Sequence, residues 1–201
     1  MVYDCKQLCS ESDAKIIVPL HIHTGADAVS RFFGHGKKTV VKATFKSKEA
    51  NRLLEKIGKT LNMKQNILDD MTQFTIKFIY GDKLNKTLAT ARASKWKAMK
   101  TKSTQRIPPD QDSHDLHVKR VNYQTYVLLN YDKPDPPPSS LNHGWILVDG
   151  RCQPLRYLKP PLPMNLSYAT METSDAIEYQ SDSCSGTESE EISEAESDAE
   201  I

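Results

Sequence analysis

Residues 21–42 read HIHTGADAVSRFFGHGKKTVVK, and the two glycine motifs inside them decide how the fold is read. Gly25-Ala26-Asp27 predicts a turn that presents a carboxylate at a helix start, where free backbone N–H groups and the helix dipole favour negative charge. Gly34-His35-Gly36 predicts a tight hairpin in which both glycines take positive φ and the N–H groups point outward, with Lys37 and Lys38 beside them. A short helix from Asp27 to Phe33 and another from Lys37 to Phe45 complete a helix-hairpin-helix-like corner. The same pattern also suits an ordinary corner that binds nothing.

Working toward the N-terminus, Lys15 to Ile22 holds Ile16, Ile17, Val18 and Leu20 and is expected as a buried, orphan strand interrupted by Pro19. Residues 1–14 are expected as a flexible lead-in. In the other direction the period is helical. Glu49 to Asn62 places Leu53, Leu54, Ile57 and Leu61 on one face. Asn66 is expected to cap a helix lined by Ile67, Leu68, Met71, Phe74 and Phe78 that stops at Gly81. Further helices are expected over Lys83 to Lys100 and, after the Pro108-Pro109 break, over Gln111 to Asn130. Asp132 to Ser140 is proline-rich and expected to be extended. Trp145 to Val148 and Gln153 to Tyr157 flank Asp149-Gly150, which predicts a small hairpin.

Charge is divided along the chain. All 27 Lys and Arg lie at or before Lys159, while residues 172–201 hold 11 of the 26 acids and no basic residue, so the body carries 27 cations against 15 acids. A basic binding body with an acidic tail that shields it or recruits a protein partner is the expectation. The hydrophobic fraction of 38% predicts a modest core. Cys5, Cys9, Cys152 and Cys184 are too scattered for a disulfide framework or a zinc site. No apolar run of membrane-spanning length occurs, and the first residues lack a signal-peptide core. The expectation is a soluble product kept inside the cell, with the nucleus as one location.

Lys83 to Lys102 contains Lys83, Lys86, Arg92, Lys95, Lys97, Lys100 and Lys102 without an acid, and so much uncompensated charge points to a polyanion. The histidines of His21-x-His23 and His114-x-x-His117 are expected to be structural or surface residues. Nucleophile elbows, Cys/His pairings and Walker loops are missing. In the tail, Thr187, Ser193 and Ser197 each precede an acid by three residues, a spacing suited to acid-directed phosphorylation.

His21, Thr24, Gly25, Asp27, Ser30, Phe32, Gly34, Gly36 and Lys37 together resemble the His-x-x-Thr-Gly-Cys-Asp and Ser-x-(Phe/Tyr)-x-Gly-x-Gly-Lys stretch of transposon-associated animal proteins with a PIN/flap-endonuclease-like domain. Ala26 stands where that family usually has Cys. Weaker similarity runs to about Pro163 through Asp69 to Gly81, His117 to Gln124 and Gly144-Trp145. The resemblance implies that Asp27 is a metal ligand and that Gly34, Gly36, Lys37 and Lys38 contact phosphates. It also implies that most metal-binding carboxylates lie N-terminal to residue 1, so the chain reads as a C-terminal piece of that architecture.

The expected fold is mainly α: a small basic helical bundle over 15–131 with the hairpin, a proline-rich linker and minor β element over 132–165, and a disordered acidic tail over 166–201. The expected function is sequence-independent binding of nucleic-acid backbone, most simply duplex DNA, by Gly34, Gly36, Lys37, Lys38, Lys95, Lys97 and Lys100, with no cofactor and no autonomous cleavage. One alternative is a metal-dependent nuclease, with Asp27 holding magnesium and further carboxylates supplied in trans. The other is a non-enzymatic interaction fragment or transposon remnant.

Overall fold

Helix α1 (Glu11–His23) begins inside the expected lead-in and runs through the segment expected as a strand. It belongs to a computed structural model that describes residues 11–45, 47–99 and 104–159. Ile16, Pro19, Leu20 and His23 recur at helical spacing and are all buried, while Ile17 faces outward. The 3.6-residue period therefore overrides the strand-like clustering of Ile16, Ile17 and Val18. Pro19 forfeits a backbone bond to Lys15 and costs about 3 kcal/mol or more. Burial of Ile16, Leu20 and Ile22 stabilises by roughly 1.5–3 kcal/mol each and outweighs that loss.

The expected helix over Asp27 to Phe33 is absent. Ala26 and Val29 instead exchange backbone hydrogen bonds of 3.0 Å each way, closing a tight turn anchored by the buried side chains of Val29 and Phe32. Only the second helix of the expected corner forms, α2 (Lys37–Thr44). Helix α3 (Lys48–Leu54), capped by Ser47, ends well before Asn62 because Gly58 turns the chain at φ +78°. Helix α4 (Gln65–Phe74) begins after Lys64, so Asn66 lies inside it rather than capping it. Its end widens into a π turn over Thr75–Ile79, where the Tyr80 N–H donates to the Thr75 carbonyl at 3.1 Å.

Helix α5 (Leu88–Ala98) is shorter than expected. Asp82 accepts from the backbone N–H groups of Leu84 and Asn85, holding Lys83 to Lys86 in a turn before it. Helix α6 (Gln111–Leu129) follows the expected range, with Asp110 accepting from the Ser113 N–H as its cap. Strands β1 (Trp145–Val148) and β2 (Arg151–Pro154) pair antiparallel in the register Trp145 to Pro154, turning at Asp149 and Gly150 with positive φ. The second strand is thus earlier than expected. The described residues are mainly helical with one small two-stranded sheet.

The core lies where α1 packs on α3 and α6, and where α4 packs on α3 and α6. Leu53, Leu54, Ile57, Met71, Phe74, Val118 and Val121 fill it. A smaller cluster of Ile76, Leu88 and Ala91 attaches α5 to the π turn. Asn122 pins the turn after α3 by accepting from the Gly58 N–H and donating to the Thr60 and Leu61 carbonyls. Arg120 fastens the hairpin segment to α6 by donating to the carbonyls of Gly144 and Leu155. Among the described residues, no helix is long and apolar enough to cross a membrane. Lys100, Lys102, Cys5, Cys9, Cys184, the acidic tail and Thr187, Ser193 and Ser197 lie outside the described residues.

Candidate nucleic-acid interface

The two glycine motifs of residues 21–42 meet around one hollow. Thr24 ends α1 by donating its hydroxyl to the Leu20 carbonyl at 2.8 Å, and Gly25 then takes φ +114°. A Cβ on Gly25 would stand 2.6 Å from Cβ of Arg31, so the turn closes this tightly only around glycine. Lys37 crosses the hollow from α2. Its ammonium donates to the Gly25 carbonyl at 2.6 Å and to His21 Nδ1 at 3.1 Å. Lys37 thus acts first as a clamp between the motifs, a role that the sequence pattern does not reveal.

The hollow has a volume of about 630 Å³, and Asp27 is the one carboxylate in its lining, exposed at the rim. Gly36 opens α2 with φ −71° and ψ 132°, which corrects the expectation of positive φ at both glycines; Gly34 alone has it, at +78°. Gly36 is an ordinary extended residue before a helix. No side chain caps α2 and no acid lies in its first turn. Its leading N–H groups, at the positive end of the helix dipole, therefore suit an anion. Lys38 is exposed in that turn.

Two further cations converge on the hairpin from distant sequence. The His35 ring packs on Tyr80 at 4.4 Å. Burial lowers the His35 pKa, and the positive charges of Lys95 and Arg106 lower it further, against a backbone hydrogen bond at Ile79. A Cβ on Gly34 would meet Cγ of Arg106 at 3.7 Å. The structure thus brings Lys95 of the basic stripe to the hairpin and adds Arg106 and Arg31, which the sequence reading missed. Lys97 is exposed on α5.

The histidines regroup in a way that their spacing only half suggests. His114 and His117 share a face of α6, and His23 of α1 comes to meet them, its ring centroid 5.0 Å from His117 and 6.4 Å from His114. Thr75 links His23 Nε2 at 3.1 Å and His114 Nε2 at 2.9 Å, while His117 Nε2 donates to the His23 carbonyl at 3.1 Å. All three are buried. Burial holds the pKa of His23 well below the usual value, and His117 and His114 push it further; burial, His114 and the Arg120 charge bring His117 down to about 3 against its hydrogen bond to the His23 carbonyl. Among the described residues no three His, Cys, Asp or Glu side chains are arranged to hold a metal. Hydrogen bonds to Thr75 and to the His23 carbonyl tie the three rings into the core.

No protein-family model, curated protein or solved structure matches the chain.

Proposed function

We propose that this chain binds the sugar-phosphate backbone of nucleic acid without regard to sequence, through Gly34, Gly36, Lys38 and Lys95. The observation that carries this reading is the uncapped start of α2 beside a hollow flanked by cations from three separate segments. A phosphate oxygen placed there meets backbone donors of α2, with Lys38, Lys95 and Arg106 supplying charge around it. Lys37 keeps the cradle closed rather than leading the contact. Such contacts carry no base information, which makes the binding indifferent to sequence. The 27 cations against 15 acids before the acidic segment supply long-range attraction, and duplex DNA is the simplest polyanion that fits.

The resemblance of residues 21–38 to PIN/flap-endonuclease-like proteins belongs to the same proposal, with binding kept and cleavage not assigned. A magnesium centre needs several converging oxygen ligands, and this hollow offers the carboxylate of Asp27. The test is fluorescence anisotropy of the full chain with labelled duplex DNA. Lys38→Ala with Lys95→Ala should weaken binding, while Lys64→Ala, outside the hollow, should not. Equal affinity for parent and double variant would refute the assignment.

A further inference from the structure

His35 stands at the tip of the Gly34-His35-Gly36 turn, where its backbone N–H donates to the Phe32 carbonyl at 3.3 Å, and it lines the hollow of about 630 Å³. Among the residues of that lining, it is the one whose charge can change near neutral pH. Its half-buried ring packs edge-on against Tyr80 at the end of the π turn. Lys95 of α5 and Arg106 place positive charge near it.

The other charged groups around the ring are mostly cations. Arg31 and Lys37 line the hollow with it, Lys38 follows in the first turn of α2, and Asp27 is the carboxylate at the rim. His21 of α1 stands behind Lys37, whose ammonium reaches its Nδ1 at 3.1 Å. Tyr80 adds no charge, because burial pushes its hydroxyl up to about 12 against the pull of Arg92. Burial, Lys95 and Arg106 therefore keep the proton off His35, against a backbone hydrogen bond at Ile79 that favours it.

A phosphate at the start of α2 reverses that balance. Its negative charge offsets the cations that repel the proton, and the imidazolium then offers a second N–H donor where the neutral ring has one. Reciprocity requires that an anion drawing a proton onto His35 is itself held more tightly when that proton is at hand.

We propose that His35 is a proton-dependent ligand of this hollow, taking one proton from solvent as a phosphate oxygen arrives and returning it as the phosphate leaves. The proposal rests on the backbone-binding reading above and adds a regulation to it. Lysines and arginines stay charged between about pH 6 and about pH 7.5, so they set the salt dependence of binding while His35 sets its pH dependence. The grip tightens as pH falls through this range and relaxes as it rises, and no bond of the phosphodiester changes.

The full chain is titrated with labelled duplex DNA by anisotropy at both pH values and one ionic strength, with far-UV circular dichroism verifying the fold at each. A proton affinity raised tenfold on binding corresponds to a complex at most tenfold tighter, so the parent should gain on the order of 3- to 10-fold at the lower pH. His35→Gln, which keeps an N–H donor without a titration, should lose the gain. His143→Gln, a change outside the hollow, should keep it. A parent that binds equally well at both pH values, or a gain that persists in His35→Gln, overturns the proposal, while salt-dependent affinity in the same series leaves the backbone-binding reading standing.

Should the chain bind no DNA at either pH, the backbone-binding reading fails and sulfate decides the proposal, since sulfate stays a dianion over this range. The His35 ring is then titrated by imidazole NMR in sulfate and in chloride of matched ionic strength. A midpoint that moves up in sulfate upholds proton-coupled anion binding at His35. A midpoint that agrees in the two salts overturns it.

Discussion

Lowering the pH from about 7.5 to about 5.5 should remove about 3 kcal/mol of folding stability, drawn from His23 and His117. Both side chains are buried, with His117 brought down to about 3 and His23 well below its usual value of 6.5. In the unfolded chain each titrates near 6.5, so as pH falls the unfolded state takes up protons that the folded state refuses. The stabilisation is complete above 6.5 and drains as pH falls from there toward the folded values. One unit below 6.5, each histidine contributes a loss between about 1 and 2 kcal/mol. His35 and His143, also lowered by burial, act in the same direction, discounted because solvent screens them.

The carboxylates act in a different window. Asp82 is lowered by the Asn85 N–H, and at Asp110 the Ser113 hydrogen bonds outweigh a burial that works to raise it; their contribution is lost only as pH falls through and below 3.8. Urea unfolding followed by circular dichroism at the two pH values measures the histidine effect. At a typical slope of roughly 2 kcal/mol per molar urea, the midpoint should fall by about 1.5 M. His117→Gln keeps a donor for the His23 carbonyl and removes one titration, so the fall should be about half as large. Midpoints that agree at both pH values, or an undiminished fall in His117→Gln, would refute the reasoning.

Other changes should report on the frame of the site. Gly25→Ala puts a Cβ against Arg31 at φ +114° and should cost about 1–3 kcal/mol of stability together with duplex affinity, seen in thermal melting and anisotropy. An unchanged melting temperature would contradict the close approach. Asn122→Ala removes three hydrogen bonds to the turn after α3 and leaves the Gly58 N–H buried, so a loss of about 2–4 kcal/mol is expected in urea unfolding. Lys37→Met, which keeps the chain length without the ammonium, should loosen the Thr24–Arg31 turn, and faster amide exchange at Ala26 and Val29 would display it.

Local chemistry made much of this architecture legible. The Asp149-Gly150 turn and α6 are written in neighbouring residues, and the structure has them close to their expected bounds. Helix α1 was misleading because Ile16, Ile17 and Val18 cluster like a strand, although Ile16, Leu20 and His23 already follow a helical period. The Asp27 to Phe33 stretch failed as a helix because Val29 and Phe32 are anchored by the core, and Val29 pairs with Ala26 instead of a helical partner. Within the site, the glycine motifs were visible and their neighbours were not. Arg106 and Lys95 reach the hairpin from more than fifty positions away, and the Thr75 bridge joins histidines 52 and 39 positions distant. Contacts of that range leave no periodic trace.

The most direct test of backbone binding is the salt dependence of affinity for two unrelated duplex sequences. With Lys38, Lys95 and Arg106 as the cations that meet phosphates, about three contacts predict a log–log slope of roughly −3, the same for both sequences. Neutralising Lys38 and Lys95 should flatten it by about 2. A slope near zero, or affinities that differ strongly between the sequences at one salt concentration, would contradict the account.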